Sequence, residues 1–120
     1  MSKTAITAAP ILPVLAERWS PRSFDETYLL TKTEIVSVLE AARWATTSNN
    51  STPARFSVLA RGTELHAAVA PALASWNAAW GPTASALIVV SVSKVNQDGS
   101  PAVFAQYDAC LLYTSDAADD

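Results

Sequence analysis

Arg18-Trp19-Ser20-Pro21-Arg22-Ser23-Phe24 is the stretch on which the reading of this chain turns. Two guanidiniums and two hydroxyls fall within one short turn that follows an apolar segment. Each Arg presents a rigid fork of donors that matches phosphate or carboxylate, and charge-assisted bonds of this kind are roughly twice as strong as neutral ones. Ser20 adds a hydroxyl donor, while Pro21 removes an amide and fixes one backbone angle, so the two Arg leave a constrained path. The stretch therefore reads as an oxyanion cradle. Composition alone favours a plainer alternative, in which Arg18 and Arg22 pair with Glu17, Asp25 or Glu26 on the surface, where such pairs contribute little.

The far end of the chain, Cys110-Leu111-Leu112-Tyr113-Thr114-Ser115-Asp116-Ala117-Ala118-Asp119-Asp120, has a different character. The transposon-end adapter of short-read sequencing libraries translates to this peptide in one frame, up to its last base. Residues 110–120 are accordingly expected to be a non-native tail, and residues 1–109 the N-terminal part of one domain. The sequence holds 8 basic and 11 acidic residues, and Asp116, Asp119 and Asp120 belong to the tail, so the remainder is close to neutral. No basic stripe is available for a polyanion, and nucleic acid is not an expected partner. Cys110, the only cysteine, also lies in the tail, and His66 is the only histidine. A disulfide framework, a thiolate nucleophile, a metal site or a Ser/His/Asp triad is therefore not expected, and His66 is expected on a solvated helix face. No apolar run approaches the roughly 18 residues of a membrane span. Pro10 and Pro13 interrupt the apolar N-terminus, which makes a poor signal peptide, so no membrane partner is expected and the cytoplasm is the expected compartment.

Between these ends, helical and strand patterns alternate. Ile11 to Trp19 reads as a short helix that stops before Pro21. Thr31-Lys32-Thr33-Glu34 has the form of a capping box and opens a helix to about Trp44, with Ile35, Val38, Leu39 and Ala42 on one stripe. Thr46 to Pro53 has the composition of a loop. Phe56 to Arg61 reads as a strand, and Thr63 to Ser75 as a helix that Pro71 kinks or splits. Ser85 to Ser93, rich in Val and Ile, suits a strand buried on both faces. Asn96 to Pro101 is a turn, and Ala102 to Ala109 begins another helix. Trp44, Trp76 and Trp80 are expected in core or interface packing.

Gly62, Gly81 and Gly99 are the only glycines, spaced too widely for a P-loop or a dinucleotide fingerprint. A bound phosphate would have to be held by side chains, which returns to Arg18, Ser20 and Arg22. Asp25, Glu26, Glu34 and Glu40 show no pairing suited to acid/base work and read as capping and solubilising groups.

Three separated segments, in the right order, resemble the flavin-dependent nitroreductase family. Arg18 to Phe24 is similar to that family's Arg-x-Ser-x-Arg/Lys-x-Phe turn. Glu40-Ala41-Ala42-Arg43-Trp44-Ala45, followed by Thr46 to Pro53, is similar to its Ala-Pro-Ser-Ser-x-Asn-x-Gln-Pro loop. Asn77 precedes Ser85-Ala86-Leu87-Ile88-Val89-Val90 at the family's spacing, and Tyr107-Asp108-Ala109 resembles the start of its central helix. The resemblance covers nearly all of Arg18 to Ala109. It departs at Thr46, where the family usually has Pro, at Thr52, where it has Gln, and at Ala54, where many members have Trp.

The resemblance implies an α+β, three-layer fold with a central, mostly antiparallel sheet flanked by helices, here truncated. It implies FMN as cofactor, with Arg18, Ser20 and Arg22 at the phosphate and ribityl end, the Trp19 backbone beside them, and Asn77 on the pyrimidine edge of the ring. Ser48 and Asn50 lie in the loop that approaches a flavin bound mainly by the other subunit of a homodimer. The implied activity is ping-pong hydride transfer from NAD(P)H, through the flavin, to a nitroaromatic, quinone or similar small acceptor. No residue is then needed as nucleophile or acid, since the flavin carries the chemistry. The fragment by itself is expected to be inactive. Two alternatives stay open at this stage: a flavin-binding or storage module without efficient turnover, and a non-enzymatic α+β interaction domain whose Arg turn meets carboxylates.

Overall fold

In a computed structural model, which describes residues 4–116, Thr31 closes the expected capping box. The Glu34 amide donates to Thr31 Oγ1 at 3.3 Å, and the Thr31 amide donates to Glu34 Oε2 at 2.7 Å. Two orphan donors of the first turn are thereby satisfied. The helix so opened, α2, spans Lys32–Arg43, with Trp44 as its C-cap. It follows a short α1, Pro13–Glu17, which starts on Pro13 and stops where Arg18 turns extended, two residues inside the range expected from sequence at each end.

Strand β1 is Ala54–Ala60 and β2 is Ala86–Val92. They pair antiparallel from Ala54↔Val92 to Ala60↔Ala86. Between them, α3 is Glu64–Val69, capped by Thr63, and Pro71 ends it: Ala70–Ala72 tightens to a 3₁₀ turn. Proline lacks the amide that an α-helical bond would need there, so the split is the outcome chosen over a kink. Two further 3₁₀ turns, Asn77–Ala79 and Gly81–Thr83, lead into β2. Gly81 packs closely there: a Cβ would stand 2.8 Å from Leu73 Cδ1, so the Leu73 side chain would have to shift to admit one. The last helix, α4, is Ala105–Asp116. It packs on α2 and on both strands, and α3 packs beside β1. Among the described residues, no helix is long and apolar enough to cross a membrane.

Three expectations are corrected. β2 is not buried on both faces: Val89 is exposed opposite Ser57, as Ser91 is opposite Arg55, while Phe56, Val58, Ile88 and Val90 take the half-buried side. The period of two in a strand puts these sets on opposite faces, and the face of Val89 is covered only toward its end, where Leu59 is buried and its partner Leu87 half-buried. His66 is buried rather than solvated, its Nε2 unpartnered, because α3 turns this side of its short stripe inward. Trp44 and Trp76 are exposed at 74% and 56%, so of the three Trp expected in packing only Trp80 is half-buried.

The buried apolar residues are Ala42, Leu59, Ala105 and Leu112, and the radius of gyration of 16.2 Å exceeds the ~13–14 Å of a compact domain of this length. Leu112 belongs to the segment read as a tail. It is buried because α4 continues without a break, placing Ala105, Asp108 and Leu112 on one helix face at i, i+3 and i+7. The side chains of that tail's aspartates, Asp116, Asp119 and Asp120, lie outside the described residues.

At the end of α2, Glu40 accepts from Arg43 Nε at 2.8 Å and Nη2 at 2.6 Å, and from Trp44 Nε1 at 2.9 Å. These bonds, the Arg43 pair foremost, hold its carboxyl from the ordinary 4.5 down to about 2. A depressed carboxylate pKa contributes stability that is complete above the unfolded value and lost as pH falls through the folded one. The C-terminal turn of α2 should therefore loosen between about pH 4.5 and pH 2. Amide exchange of residues 40–44 is the measurement, and Glu40→Gln should flatten that dependence.

Candidate functional site

The Arg18–Arg22 turn begins where α1 ends, with Arg18 in an extended conformation. Arg18 Nη1 donates to Ser20 Oγ at 3.4 Å. Among the described residues, Arg22 does not pair with a carboxylate. Its guanidinium carbon lies 4.8 Å from the centre of the Trp76 ring, a cation–π distance. The ion pair found among the described residues is Arg43–Glu40, far along α2. Asp25 Oδ1 instead accepts from the Thr27 hydroxyl at 2.6 Å and the Thr27 amide at 2.8 Å, and these bonds lower its pKa.

Aromatic contacts extend the turn toward Asn77. Phe24 lies 5.8 Å from Trp80, and Trp80 6.4 Å from Trp76, the latter edge-on, within the range where ring quadrupoles attract. A chain of side chains, Arg22 on Trp76, Trp76 against Trp80, Trp80 on Phe24, thus joins the Arg turn to the 3₁₀ turn that begins at Asn77. Asn77 Oδ1 is buried without a partner, and so is Trp80 Nε1. A buried polar atom with no partner costs of the order of 1–3 kcal/mol, so this acceptor and this donor stand ready for a ligand group.

Ser48 and Asn50 lie elsewhere. They sit on a cleft of about 800 Å³ shared with Arg55, Asn96 and Asp108. Their loop carries Asn49, Asn50 and Thr52 at φ of 51°, 53° and 41°. Asn tolerates this left-handed region, but a β-branched Thr is strained there. What holds the loop is Asp108, 2% exposed at the start of α4, whose two carboxylate oxygens accept from the Ser48 amide at 3.1 and 3.2 Å. The structure thus sets Arg22 on Trp76, the residue before Asn77, and leaves Ser48 and Asn50 on a cleft that neither Arg22 nor Asn77 lines.

Sequence reading assigned no role to Asp108, nor to the Trp76–Trp80 pair as a bridge. The signals were an acid inside an apolar helix start and two Trp spaced four apart beside Asn77. Neither carries a partner in itself.

Residues 15–119 match the Nitroreductase family. The chain belongs to that family. An oxidoreductase containing FMN is 28% identical and superposes with a TM-score of 0.85, over 97% of this chain and 60% of that one. A nitroreductase-type protein of Exiguobacterium sibiricum in complex with FMN is 34% identical with a TM-score of 0.61, over 76% of this chain and 42% of that one. One from Desulfovibrio desulfuricans, also in complex with FMN, shares the fold at 18% identity and a TM-score of 0.74, over 93% of this chain and 62% of that one. This nitroreductase-family chain therefore spans about three fifths of the length of the first of these structures. Its helices and antiparallel strands belong to the α+β nitroreductase fold. Among curated proteins, none matches it.

Replacing Asp108 by Ala should free the Ser48 amide and release the strained loop, at about 1.5–3 kcal/mol for a bond to a charged group. Asp108→Asn, which keeps an acceptor, should retain most of it. Amide exchange at Ser48 in the two variants is the measurement.

Proposed function

We propose that this chain binds FMN and forms the N-terminal part of an NAD(P)H-dependent oxidoreductase. The observation that carries the reading is the placement of Arg22, stacked on Trp76, next to Asn77, whose Oδ1 is buried and unpartnered. FMN is anionic at its phosphate, and its ring edge alternates donors and acceptors. Arg18, Ser20 and Arg22 offer cations and hydroxyl donors with no carboxylate paired to either Arg among the described residues. Asn77 Oδ1 and Trp80 Nε1–H offer one buried acceptor and one buried donor. The residues present fit the group. FMN-bound relatives of the same fold support the same choice.

In this reading Arg18, Ser20 and Arg22 hold the phosphate and ribityl end, with the Trp19 backbone beside them, and Asn77 orients the ring by its pyrimidine edge. FMN, when bound, would supply the hydride-transfer chemistry between NAD(P)H and a nitroaromatic, quinone or similar acceptor, in ping-pong order. The chain's residues bind and orient. None of them is required to act as nucleophile, acid or base. Arg22 is the cation available to offset negative charge gained on reduction. Ser48 and Asn50, on their separate cleft, would serve the cofactor of a second protomer in a homodimer. The cytoplasm, where NAD(P)H is supplied, is the proposed compartment.

Arg18→Ala and Arg22→Ala should each weaken FMN binding by about 1.5–3 kcal/mol, the loss of one charge-assisted bond. Asn77→Ala should alter turnover as well as affinity. Isothermal titration of the three variants of the complete protein measures this, and bleaching of its flavin by NADH separates an oxidoreductase from a storage module. Unchanged affinity in both Arg variants would refute the assignment.

A further inference from the structure

Arg61 directly follows β1, and its amide donates to Ser85 O at 2.8 Å, lengthening the β1–β2 ladder by one residue. Its side chain crosses to two other segments. Nη1 donates to Thr83 O, while Nη2 donates to Glu26 O at 2.8 Å and to Tyr28 O at 2.5 Å. Ser85 Oγ gives Tyr28 O a second bond at 2.9 Å. One planar cation thus joins three main-chain carbonyls. Two of them follow the Arg18–Arg22 turn, and the third ends the Gly81–Thr83 turn just beyond Asn77.

Main-chain acceptors matter here, because they fix backbone position and not merely a rotamer. The charged donor places these bonds in the stronger class. The fork of a guanidinium lies flat between several acceptors in a way that a single ammonium cannot. The residues that contact the proposed cofactor lie on the two segments so joined, whereas Arg61 itself bonds only to main chain. The structure assigns Arg61 as the positioning residue that holds the Arg18–Arg22 turn against the Asn77 segment. This keeps the phosphate and ring ends of the site at one spacing. The functional half of the assignment rests on the FMN reading above. The positional half does not.

The test uses the 120-residue chain and its Arg61→Lys variant. In the unsubstituted chain, the Arg61 Nη protons should exchange with water at least about tenfold more slowly than those of Arg18, whose bond to Ser20 Oγ is a long 3.4 Å. In Arg61→Lys, the indole Nε1–H resonances of Trp76 and Trp80 should shift, since Arg22 and Phe24 no longer sit against them. The amides of β1 and β2 should keep their protection, and the FMN dissociation constant, read by flavin fluorescence, should rise about tenfold. Arg61 protons that exchange as fast as those of Arg18 would overturn the clamp, even if the variant does not fold. Unmoved indole resonances, or equal FMN affinity in the two proteins, would also overturn it. If the unsubstituted chain takes up no FMN, the cofactor reading fails, while the ligand-free guanidinium and indole signals still judge the clamp.

Discussion

The β1–β2 ladder is the constraint on which the rest of the arrangement depends. Its register, from Ala54↔Val92 to Ala60↔Ala86, closes residues 61–85 into a loop whose two ends are hydrogen-bonded neighbours. Everything that gives the site its shape hangs from that closure. Asn77, Trp76 and Trp80 lie inside the loop, and Arg61 and Ser85 stand at its neck, both reaching Tyr28 O. The ladder also fixes which strand side chains face α4 and which face outward, since a shift of one residue would exchange the two sets.

From that neck the structure works by main-chain anchoring and ring contact rather than by charge pairing. Tyr28 illustrates the economy of it. Its carbonyl takes bonds from Arg61 and Ser85, and its hydroxyl donates to Glu34 Oε1 at 2.5 Å, so one residue ties the Arg turn to the loop neck and to the capping box of α2. That bond is the main reason the Glu34 carboxyl sits below its usual pKa and the Tyr28 hydroxyl above its own. The two Arg of the turn are thereby kept clear of nearby acids: Asp25 is occupied by Thr27, and Arg22 rests on Trp76. A cation left on an aromatic face remains available to an anion in a way that an ion-paired one does not.

Two orphaned polar atoms, Asn77 Oδ1 and Trp80 Nε1, stand at the inner end of the same aromatic chain. Folded chains rarely leave such atoms buried without reason. They belong to the first residue of the Asn77–Ala79 turn and to its C-cap, one an acceptor and the other a donor. The loop of Ser48 and Asn50 follows a different logic. It is strained, pinned at one amide by a buried carboxylate, and turned toward a second cleft.

Local sequence settled what depends on near neighbours. The Thr31–Glu34 box, the split at Pro71, the loop from Thr46 and the presence of both strands follow from residues within a few positions of one another, where capping, proline sterics and side-chain period act. The Arg turn and Asn77 were legible through their resemblance to a family pattern, with the family itself then shown by the match over residues 15–119. What only the tertiary structure decided was where partners come from. Asp108 meets Ser48 across 60 positions, Arg61 meets Glu26 across 35, and Arg22 chooses Trp76 over the acids beside it. The inward turn of His66 and the exposure of Val89 and Ser91 on β2 were equally closed to periodicity. A sequence pattern says that a face is apolar or a group is charged. Only the packing of distant segments says what that face or group will meet.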